Sequence, residues 1–194
     1  MMAAIIHLSD VRRSFGAVHV LRGIDLDVQH GQLVALYGPS GSGKTTLLNL
    51  IGLLDTPSDG NIVIDNADVS HYGERKRAGL RRRQIAYIFQ RDTLLPTYSA
   101  AENIDLALRL ANVGYFQRRK RVREGLAAVG LREWADHYPA QLSGGQRQRI
   151  EVARALAQQT PIVLADEPTS GLDTRTSQRV LTLFRGIATE RRTA

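Results

Sequence analysis

Short apolar segments alternate along the chain with longer segments in which apolar residues recur every three or four positions. The short segments predict strands at residues 5–8, 21–28, 33–37, 61–64, 84–89 and 162–165. The segment 33–37 is continuously apolar, which is typical of a buried parallel strand. The longer segments predict helices at 44–51, 99–112, 116–129, from 143 onward, and at 174–190.

The predicted strands lie on both sides of a helical stretch. Residues 91–159 carry no convincing strand pattern, which indicates a helical lobe inserted into an α/β core. We therefore expect two domains. One is a discontinuous α/β core of residues 1–90 and 160–194, and the other is the helical lobe of residues 91–159.

Composition narrows the possible classes of protein. With 43% hydrophobic and 23% charged residues in 194 positions, the chain is globular. Cysteine is absent, which excludes disulfides, thiolate zinc sites and a cysteine nucleophile. The N-terminus lacks the features of a signal peptide, and no apolar run approaches the ~20 residues of a membrane span. Any membrane role is therefore expected to act through a partner.

The net charge of +7 is concentrated in two clusters. One comprises Arg75, Lys76, Arg77, Arg81, Arg82 and Arg83, and the other Arg118, Arg119, Lys120, Arg121 and Arg123. Such runs are usually solvated helix faces, but they can also attract anionic lipid or nucleic acid. Neither cluster is interleaved with aromatic residues that could stack on bases, which weakens the nucleic-acid alternative.

A glycine-rich segment follows the apolar run at 33–37 and fits the pattern G-x-x-x-x-G-K-[ST]. Glycines let backbone N–H groups close around phosphates at a helix N-terminus. The pattern predicts a nucleotide phosphate site formed by Gly38, Pro39, Ser40, Gly41, Ser42, Gly43, Lys44 and Thr45. Lys44 is expected to reach the β- and γ-phosphates, and Thr45 to ligate Mg²⁺.

Two carboxylates end the predicted strand at 162–165. Asp166 and Glu167 follow four apolar residues, and ligands of open α/β sheets bind at that edge. Two carboxylates so close together resist joint ionisation unless a cation lies between them, so we expect the two residues to have different roles. Asp166 is the expected partner of Mg²⁺, and Glu167 the expected base for an attacking water.

A second glycine segment, Leu-Ser-Gly-Gly-Gln at residues 142–146, opens a predicted helix. Ser143 and Gln146 form a capping box. Gly144 and Gly145 in the first turn weaken the helix by roughly 1 kcal/mol each relative to alanine. Bare backbone at a helix N-terminus suits a closely approaching phosphate, so the segment predicts a second phosphate-contacting site.

These three segments together resemble the ATPase subunits of ATP-binding-cassette (ABC) transporters, and most closely the group that serves lipoprotein release, macrolide export and cell division. The resemblance extends over essentially the whole chain. It implies an α/β fold: a RecA-like P-loop NTPase core, whose sheet is mostly parallel with a small antiparallel β part, and an inserted α-helical lobe.

The resemblance also implies roles for single residues. Phe15 resembles the aromatic that stacks on adenine, and Thr46 the second hydroxyl of the phosphate loop. Gln90 resembles the glutamine that senses Mg²⁺, and Asp173 belongs to the loop that couples the two sites of a dimer. The implied catalytic residues are Glu167, Gln90 and Lys44, the implied metal ligands are Thr45, Gln90 and Asp166, and the cofactors are ATP and Mg²⁺.

The implied partners are a second ATP-binding subunit, in a head-to-tail homodimer, and an integral-membrane permease. Segment 142–146 would contact ATP held by the other subunit, and residues 94–96 with Glu102 and Asn103 would meet the permease. No nucleic acid is expected, and the expected location is peripheral, on the cytoplasmic face of the cell membrane. Two alternatives remain at this point: a non-transport ABC ATPase acting on nucleic acid or the ribosome, and a P-loop kinase or GTPase.

The sequence departs from this family in one respect. Members carry another core strand after the helix that follows Asp173, and then a histidine that contacts the γ-phosphate. All five histidines here precede Asp166, and the sequence stops at Ala194. We expect the sequence to be a C-terminally truncated version of a longer subunit.

Overall fold

The computed structural model describes residues 4–90, 92–191 and 193–194. The start of the N-terminus, predicted not to be a signal peptide, and Arg91, the predicted first residue of the helical lobe, lie outside the described residues. The chain forms two compact units. The first comprises Met1–Ile85 with Ile187–Ala194, and the second Ala86–Gly186. The predicted division into a core and a helical lobe stays a prediction.

A four-stranded antiparallel sheet dominates the first unit. Its strands are β1 (Ala4–Phe15), β2 (Val18–Gln29), β3 (Asp59–Ile64) and β4 (Ala67–Asp68), in the order β2-β1-β3-β4. The strands predicted at 5–8, 21–28 and 61–64 are therefore confirmed, although each is longer than expected. Apolar side chains from β1 and β3 form the buried face of the sheet, among them Ile5, Leu8, Val11, Ile62 and Ile64.

Two helices complete the first unit. Helix α1 (Lys44–Ile51) follows the glycine loop, buries Leu47, Leu50 and Ile51, and ends at Gly52, as predicted. Helix α2 (Glu74–Gln84) carries the first basic cluster and buries only Leu80. Because α2 has so little apolar surface, most of its side chains remain in solvent.

The buried strand predicted at residues 33–37 is wrong. The segment has no strand geometry, and its side chains are largely exposed, Tyr37 by 92%. Within the described part of the chain, the strands pair as β1 to β4 in one sheet and β5 with β6 in another, and neither sheet includes this segment. A continuous apolar run specifies a tendency to be buried, but a strand also needs neighbouring strands to take up its backbone hydrogen bonds.

The second unit combines a two-stranded sheet with helices. Strands β5 (Ile85–Ile88) and β6 (Ile162–Ala165) form the sheet, and the helices are α3 (Ala100–Leu110), α4 (Tyr115–Ala128), α5 (Gly144–Gln158) and α6 (Thr174–Arg191). Ile85 of β5 and the last turn of α6, from Ile187, are counted with the first unit. Across residues 92–159 the structure contains helices and turns but no strand, as predicted. The core lies among α3, α4 and α5, with Ile104, Leu108, Val122, Leu126 and Ile150 buried. No described helix is both long and apolar enough to cross a membrane.

Candidate functional site

The glycine loop ends at an uncapped helix start. Gly43 occupies the N-cap position of α1 with φ of 90°, and no side chain caps the helix. A Cβ atom on Gly43 would lie 2.8 Å from Cδ2 of Leu21 on β2. Free N–H groups at such a helix start carry partial positive charge and favour anions. The packing of β2 thus keeps this position bare, and the backbone itself offers the anion site.

The side chain of Lys44 folds back over the same loop. Its Nζ donates hydrogen bonds to the carbonyl oxygens of Gly38 and Pro39, each at 2.9 Å, and lies 3.5 Å from the Ser42 hydroxyl. These hydrogen bonds hold the ammonium inside the loop. Phosphate oxygens are stronger partners for an ammonium than neutral carbonyls. The arrangement can transfer Lys44 from the loop carbonyls to a bound phosphate.

The β1–β2 hairpin places Phe15 near this loop. Phe15 is half exposed, and the Arg13 guanidinium lies 4.5 Å from the centre of its ring. In the same hairpin, Val20 and Leu21 pack against the Cα of Gly43. The hairpin that carries the predicted aromatic therefore packs against the phosphate loop through Val20 and Leu21. Of the two loop hydroxyls, Thr45 is exposed and Thr46 is half-buried.

The acidic pair at the end of β6 has one buried and one exposed member. Asp166 is 8% exposed, and its backbone N–H donates to the carbonyl of Ile88 on β5 at 2.9 Å. Glu167 is exposed and has φ of 50°. A non-glycine residue in this left-handed region costs about 1–2 kcal/mol.

The charge of Asp166 acts on the neighbouring strand. Burial raises the pKa of the Tyr87 phenol on β5 far above its usual value, and the negative charge of Asp166 raises it further. Tyr87 therefore stays protonated throughout the physiological range.

The segment after Glu167 is a series of turns that reaches the start of α5. Gln148 donates from Nε2 to the carbonyl of Pro168 at 3.3 Å. A Cβ on Gly145 would lie 3.3 Å from Cδ2 of Leu172. The second unit therefore holds the acidic pair and the second glycine segment in one packed arrangement.

Asp173 caps α6. Its carboxylate accepts hydrogen bonds from the backbone N–H and the hydroxyl of Thr176, at 3.0 and 2.6 Å. These bonds lower the pKa of Asp173 below its ordinary value. The structure thus gives Asp173 a local role at a helix start, whereas its implied role in coupling two subunits stays a prediction.

The capping box predicted at the second glycine segment is confirmed. The Ser143 hydroxyl accepts from the N–H of Gln146 at 3.2 Å, and the Gln146 side chain accepts from the N–H of Ser143 at 2.8 Å. Gly144 is exposed, and a Cβ there would meet only the end of the Arg147 side chain, 4.0 Å away. The glycines of this helix start are therefore not needed for its capping.

Gln90 is exposed and lies just before a segment fastened to α5. The backbone N–H and the hydroxyl of Thr93 both donate to Oε1 of Glu151, a fully buried carboxylate. The Arg154 guanidinium donates to the Thr93 carbonyl at 3.2 Å and to its hydroxyl at 2.6 Å. Two α5 side chains thus bind every polar group of Thr93. The segment after Gln90 is therefore attached to the helix whose N-cap is Ser143.

Two further contacts complete this attachment. Arg147, also on α5, forms an ion pair with Asp92 at 2.6 Å. Asn103 on α3 is buried; its Oδ1 accepts from the N–H of Leu95 at 2.7 Å, and its Nδ2 donates to the Leu95 carbonyl at 3.2 Å. Glu102 completes the capping box of α3 with Ser99. Asn103 and Glu102, implied by resemblance to meet a permease, therefore have structural roles of their own.

Sequence reasoning did not identify Thr93, Glu151 and Arg154. The one local signal was a glutamate in the apolar stripe of α5 with an arginine three residues later, a spacing that places them side by side on a helix. Their shared partner is 58 residues away from Glu151 in sequence, and no local pattern identifies it.

The donors expected for a metal fit Mg²⁺. Among the described residues, no three His, Asp or Glu side chains gather into a preformed metal site. Mg²⁺ does not need one, because it takes one or two protein ligands and completes its shell with waters and phosphate oxygens. Thr45, Gln90 and Asp166 each offer an oxygen, the ligand atom that this ion prefers.

Comparison with known proteins identifies the family of this chain. Residues 21–170 match the sequence family described as ABC transporter. LolD of Bacteroides fragilis, a lipoprotein-releasing system ATP-binding protein, is 43% identical over 180 residues, which cover 93% of this chain and 83% of LolD. MacB of Brucella abortus, a macrolide export ATP-binding/permease protein, is 44% identical over 189 residues, which cover 95% of this chain and 29% of MacB.

A solved structure with the same fold is a dimeric post-hydrolysis state of the ATP-binding cassette MJ0796 bound to ADP and Pi. It has a TM-score of 0.90 and 38% sequence identity, and the match covers 97% of this chain and 84% of that one. The predicted fold class and the kinship with lipoprotein-release and macrolide-export proteins are confirmed. The family match also decides against a kinase, a GTPase or a non-transport ATPase. The chain belongs to the ABC transporter family, as an ATP-binding subunit that hydrolyses ATP.

Proposed function

We propose that residues 38–45 bind the β- and γ-phosphates of ATP. The observation that carries this proposal is the start of α1. An uncapped helix N-terminus at Gly43 lies there beside the Lys44 ammonium, which is hydrogen-bonded to carbonyl oxygens of the loop. Backbone N–H groups and a lysine together provide the positive charge that a triphosphate needs.

Mg²⁺ would be held by the Thr45 hydroxyl and by the amide oxygen of Gln90, with Asp166 as its carboxylate partner. When bound, the ion neutralises charge on the phosphate oxygens. Burial of Asp166 in a turn whose backbone is fixed to β5 keeps its carboxylate in place. Thr46 adds a second hydroxyl to the loop.

Phe15 stacks on the adenine base in this proposal. Arg13 covers the ring at 4.5 Å, and half of the side chain remains exposed. Aromatic stacking recognises the base and is indifferent to the γ-phosphate. We therefore expect ATP and ADP to lose affinity equally when Phe15 is replaced by alanine.

Glu167 is the proposed general base. Glu167 is exposed and follows directly after the buried Asp166, with a left-handed backbone φ of 50°. It would take a proton from the water that attacks the γ-phosphorus, while Lys44 and the loop N–H groups stabilise the phosphate charge. The remaining catalysis is positioning and charge stabilisation, as in other phosphoryl transfers.

Two copies of the chain would act together. The bare start of α5, with Ser143, Gly144, Gly145 and Gln146, would contact the γ-phosphate of ATP bound by the other copy. Asp173 would couple the two sites across that interface. The neighbourhood of Leu95 and Tyr98, two partly exposed side chains on the segment attached to α5, would contact an integral-membrane permease from the cytoplasmic face of the membrane.

The test is calorimetric titration of Mg-ATP and Mg-ADP into the wild-type chain and three variants. Lys44→Ala should weaken ATP binding by roughly 10- to 100-fold, because a charge-assisted contact contributes about 1.5–3 kcal/mol. Lys76→Ala, which removes an exposed lysine from α2, is the matched control and should bind as the wild type does. Equal affinities for all three proteins would contradict the assignment of the loop.

The third variant, Glu167→Gln, separates binding from chemistry. The amide keeps the shape of the side chain but cannot act as a base, so ATP should still bind while turnover falls by roughly 10²- to 10⁴-fold. Hydrolysis at the wild-type rate would show that Glu167 is not the base and would leave the phosphate loop unaffected.

A further inference from the structure

Each basic cluster of the sequence contains two arginines that contact neighbouring groups and several cations that are exposed. On α4, Arg118 pairs with Asp105 at 2.7 Å. Arg121 donates to the carbonyl of Gln158 at 3.2 Å, at the C-terminus of α5, where cations are favoured by the helix dipole. These two arginines therefore hold helices together, and this cluster is not simply a solvated face.

On α2 the charges divide by helical face. Arg77 and Arg81 turn toward Glu74, which they contact at 2.7 and 2.9 Å, and Arg81 also donates to the carbonyl of Leu53. These two arginines and the buried Leu80 form the side of α2 that attaches to the rest of the first unit. Their pairing with Glu74 lowers the pKa of that carboxyl, so Glu74 stays ionised.

The other four cations of α2 are exposed. Arg75, Lys76, Arg82 and Arg83 lie at helical positions i, i+1, i+7 and i+8, which places them on one stripe two turns long. Among the described residues none of the four forms an ion pair with a carboxylate; Lys76 lies 5.2 Å from the ring of Tyr72. We refer to these four residues as the α2 cationic face.

The surface between these cations is small and flat. Ala78 and Gly79 lie between them, and a Cβ added at Gly79 would meet nothing within 4 Å. The face offers no large apolar side chain. Protein interfaces usually centre on aromatic or apolar anchors, and single-stranded nucleic acid is bound by stacking on aromatic side chains. The face has neither feature.

We propose that the α2 cationic face lies against anionic phospholipid headgroups. A diffuse, negatively charged surface matches four exposed cations spread over two turns of one helix face, and the chain belongs to the ABC transporter family. The inference does not depend on the roles assigned above to the nucleotide-binding residues.

The chemistry of the face determines how it binds. With no exposed large apolar residue, α2 cannot insert into the acyl chains as an amphipathic anchor does. Attraction of each cation to an anionic surface strengthens binding about fivefold. Binding should therefore require anionic lipid, weaken steeply with salt and be reversible.

The experiment measures co-sedimentation of the full chain with phosphatidylcholine vesicles, with and without phosphatidylglycerol. The test variant carries Arg75→Gln, Lys76→Gln, Arg82→Gln and Arg83→Gln. The control variant carries Arg109→Gln, Arg119→Gln, Lys120→Gln and Arg123→Gln, four exposed cations of the second unit. Each variant removes four charges from the net +7, so the two variants have the same net charge and lose it from different helices; of the four control residues, Lys120 also forms an exposed ion pair with Glu124 at 3.9 Å. Circular dichroism confirms that both fold.

We expect the wild type and the control variant to bind vesicles that contain phosphatidylglycerol, the test variant to bind at least about tenfold more weakly, and high salt to release all three. Equal losses in the two variants would overturn the proposal, because net charge alone would explain binding. Wild-type binding by the test variant would overturn it too. So would tighter binding of a single-stranded oligonucleotide than of vesicles, lost in the test variant, because that would assign the face to nucleic acid.

Discussion

The two glycine segments of this protein both open a helix, yet they use glycine for different reasons. At the start of α1, Gly43 has φ of 90°, and a Cβ there would collide with Leu21. At the start of α5, Gly144 has ordinary helical geometry and open space around it, and the capping box of Ser143 and Gln146 completes the helix without it. The fold requires the first glycine and merely tolerates the second.

This difference separates stability from function. When the backbone conformation already requires glycine at a position, the glycine gives no evidence about whether a ligand also requires it. A glycine that weakens its own helix, with nothing in the chain to explain it, indicates that something outside the chain approaches there. The start of α5 is thus the better place to test whether a second nucleotide site exists.

The largest expected effect is on stability, for Gly43→Ala. The left-handed φ costs about 1–2 kcal/mol and the collision with Leu21 about 1–3 kcal/mol, so we expect a loss of about 2–5 kcal/mol. Urea unfolding followed by circular dichroism measures it. Gly73→Ala is the matched control, because Gly73 is also an N-cap glycine but has φ of −65° and open surroundings. Similar losses in both variants would contradict the distinction.

The next prediction concerns Gly144→Ala, where stability and activity should move in opposite directions. A methyl group in the first turn should stabilise the chain by up to about 1 kcal/mol, because alanine favours helix over glycine. ATP hydrolysis should fall by about 100-fold, because the methyl blocks the approach of a phosphate. Unfolding and phosphate-release assays on the same sample measure both effects.

Gly186→Ala provides the control for that prediction. Gly186 lies within α6 of the same unit and also has open space, so the variant should gain similar stability and keep its activity. If Gly144→Ala hydrolyses ATP as fast as the wild type, the start of α5 contacts no phosphate at this position, and Gly144 remains without an explanation.

Local patterns predicted the features that local forces determine. The capping box at Ser143, the end of α1 at Gly52 and the end of β6 before Asp166 depend only on neighbouring residues, and all three are confirmed. The strand at 33–37 failed because apolar composition does not specify which strand will pair with it. The role of each site residue in catalysis stays a prediction, because it depends on a ligand as well as on the fold.

Features that depend on residues far apart in sequence could not be predicted from local sequence patterns. Glu151 looked like one polar residue in the apolar stripe of α5, but it is fully buried and holds Thr93. Each basic cluster looked uniform, although Arg118 and Arg121 on α4, unlike the exposed cations around them, contact groups on neighbouring helices. In both cases the partner lies far away in sequence, so only the folded structure distinguishes the roles.

A smaller effect is expected for Ser143→Ala. Loss of the hydroxyl removes the acceptor for the N–H of Gln146, which should cost about 0.5–2 kcal/mol. The same change at Ser99, the corresponding N-cap of α3, should cost a similar amount of stability and leave hydrolysis unchanged. A loss of hydrolysis confined to Ser143→Ala would show that this hydroxyl also contacts nucleotide. Equal hydrolysis in both variants would limit Ser143 to capping.

The smallest effect extends the comparison to a third helix start, that of α6, where the cap is the carboxylate of Asp173. Hydrogen bonds from Thr176 hold the pKa of this carboxyl below its usual value, so its contribution to stability is complete above the unfolded pKa of about 3.9 and is lost as the pH falls through the folded pKa.

The Asp173→Asn variant cannot titrate at this position. The difference in unfolding midpoint between the wild type and Asp173→Asn should therefore be constant from neutral pH down to about pH 5 and change only below it, as the wild-type cap becomes protonated. A difference that does not change with pH would show that Asp173 caps α6 through its shape and not through its charge. In that case the negative charge of Asp173 would not stabilise the start of α6. The comparison with the start of α1, which has no capping side chain and attracts anions, would then no longer rest on charge.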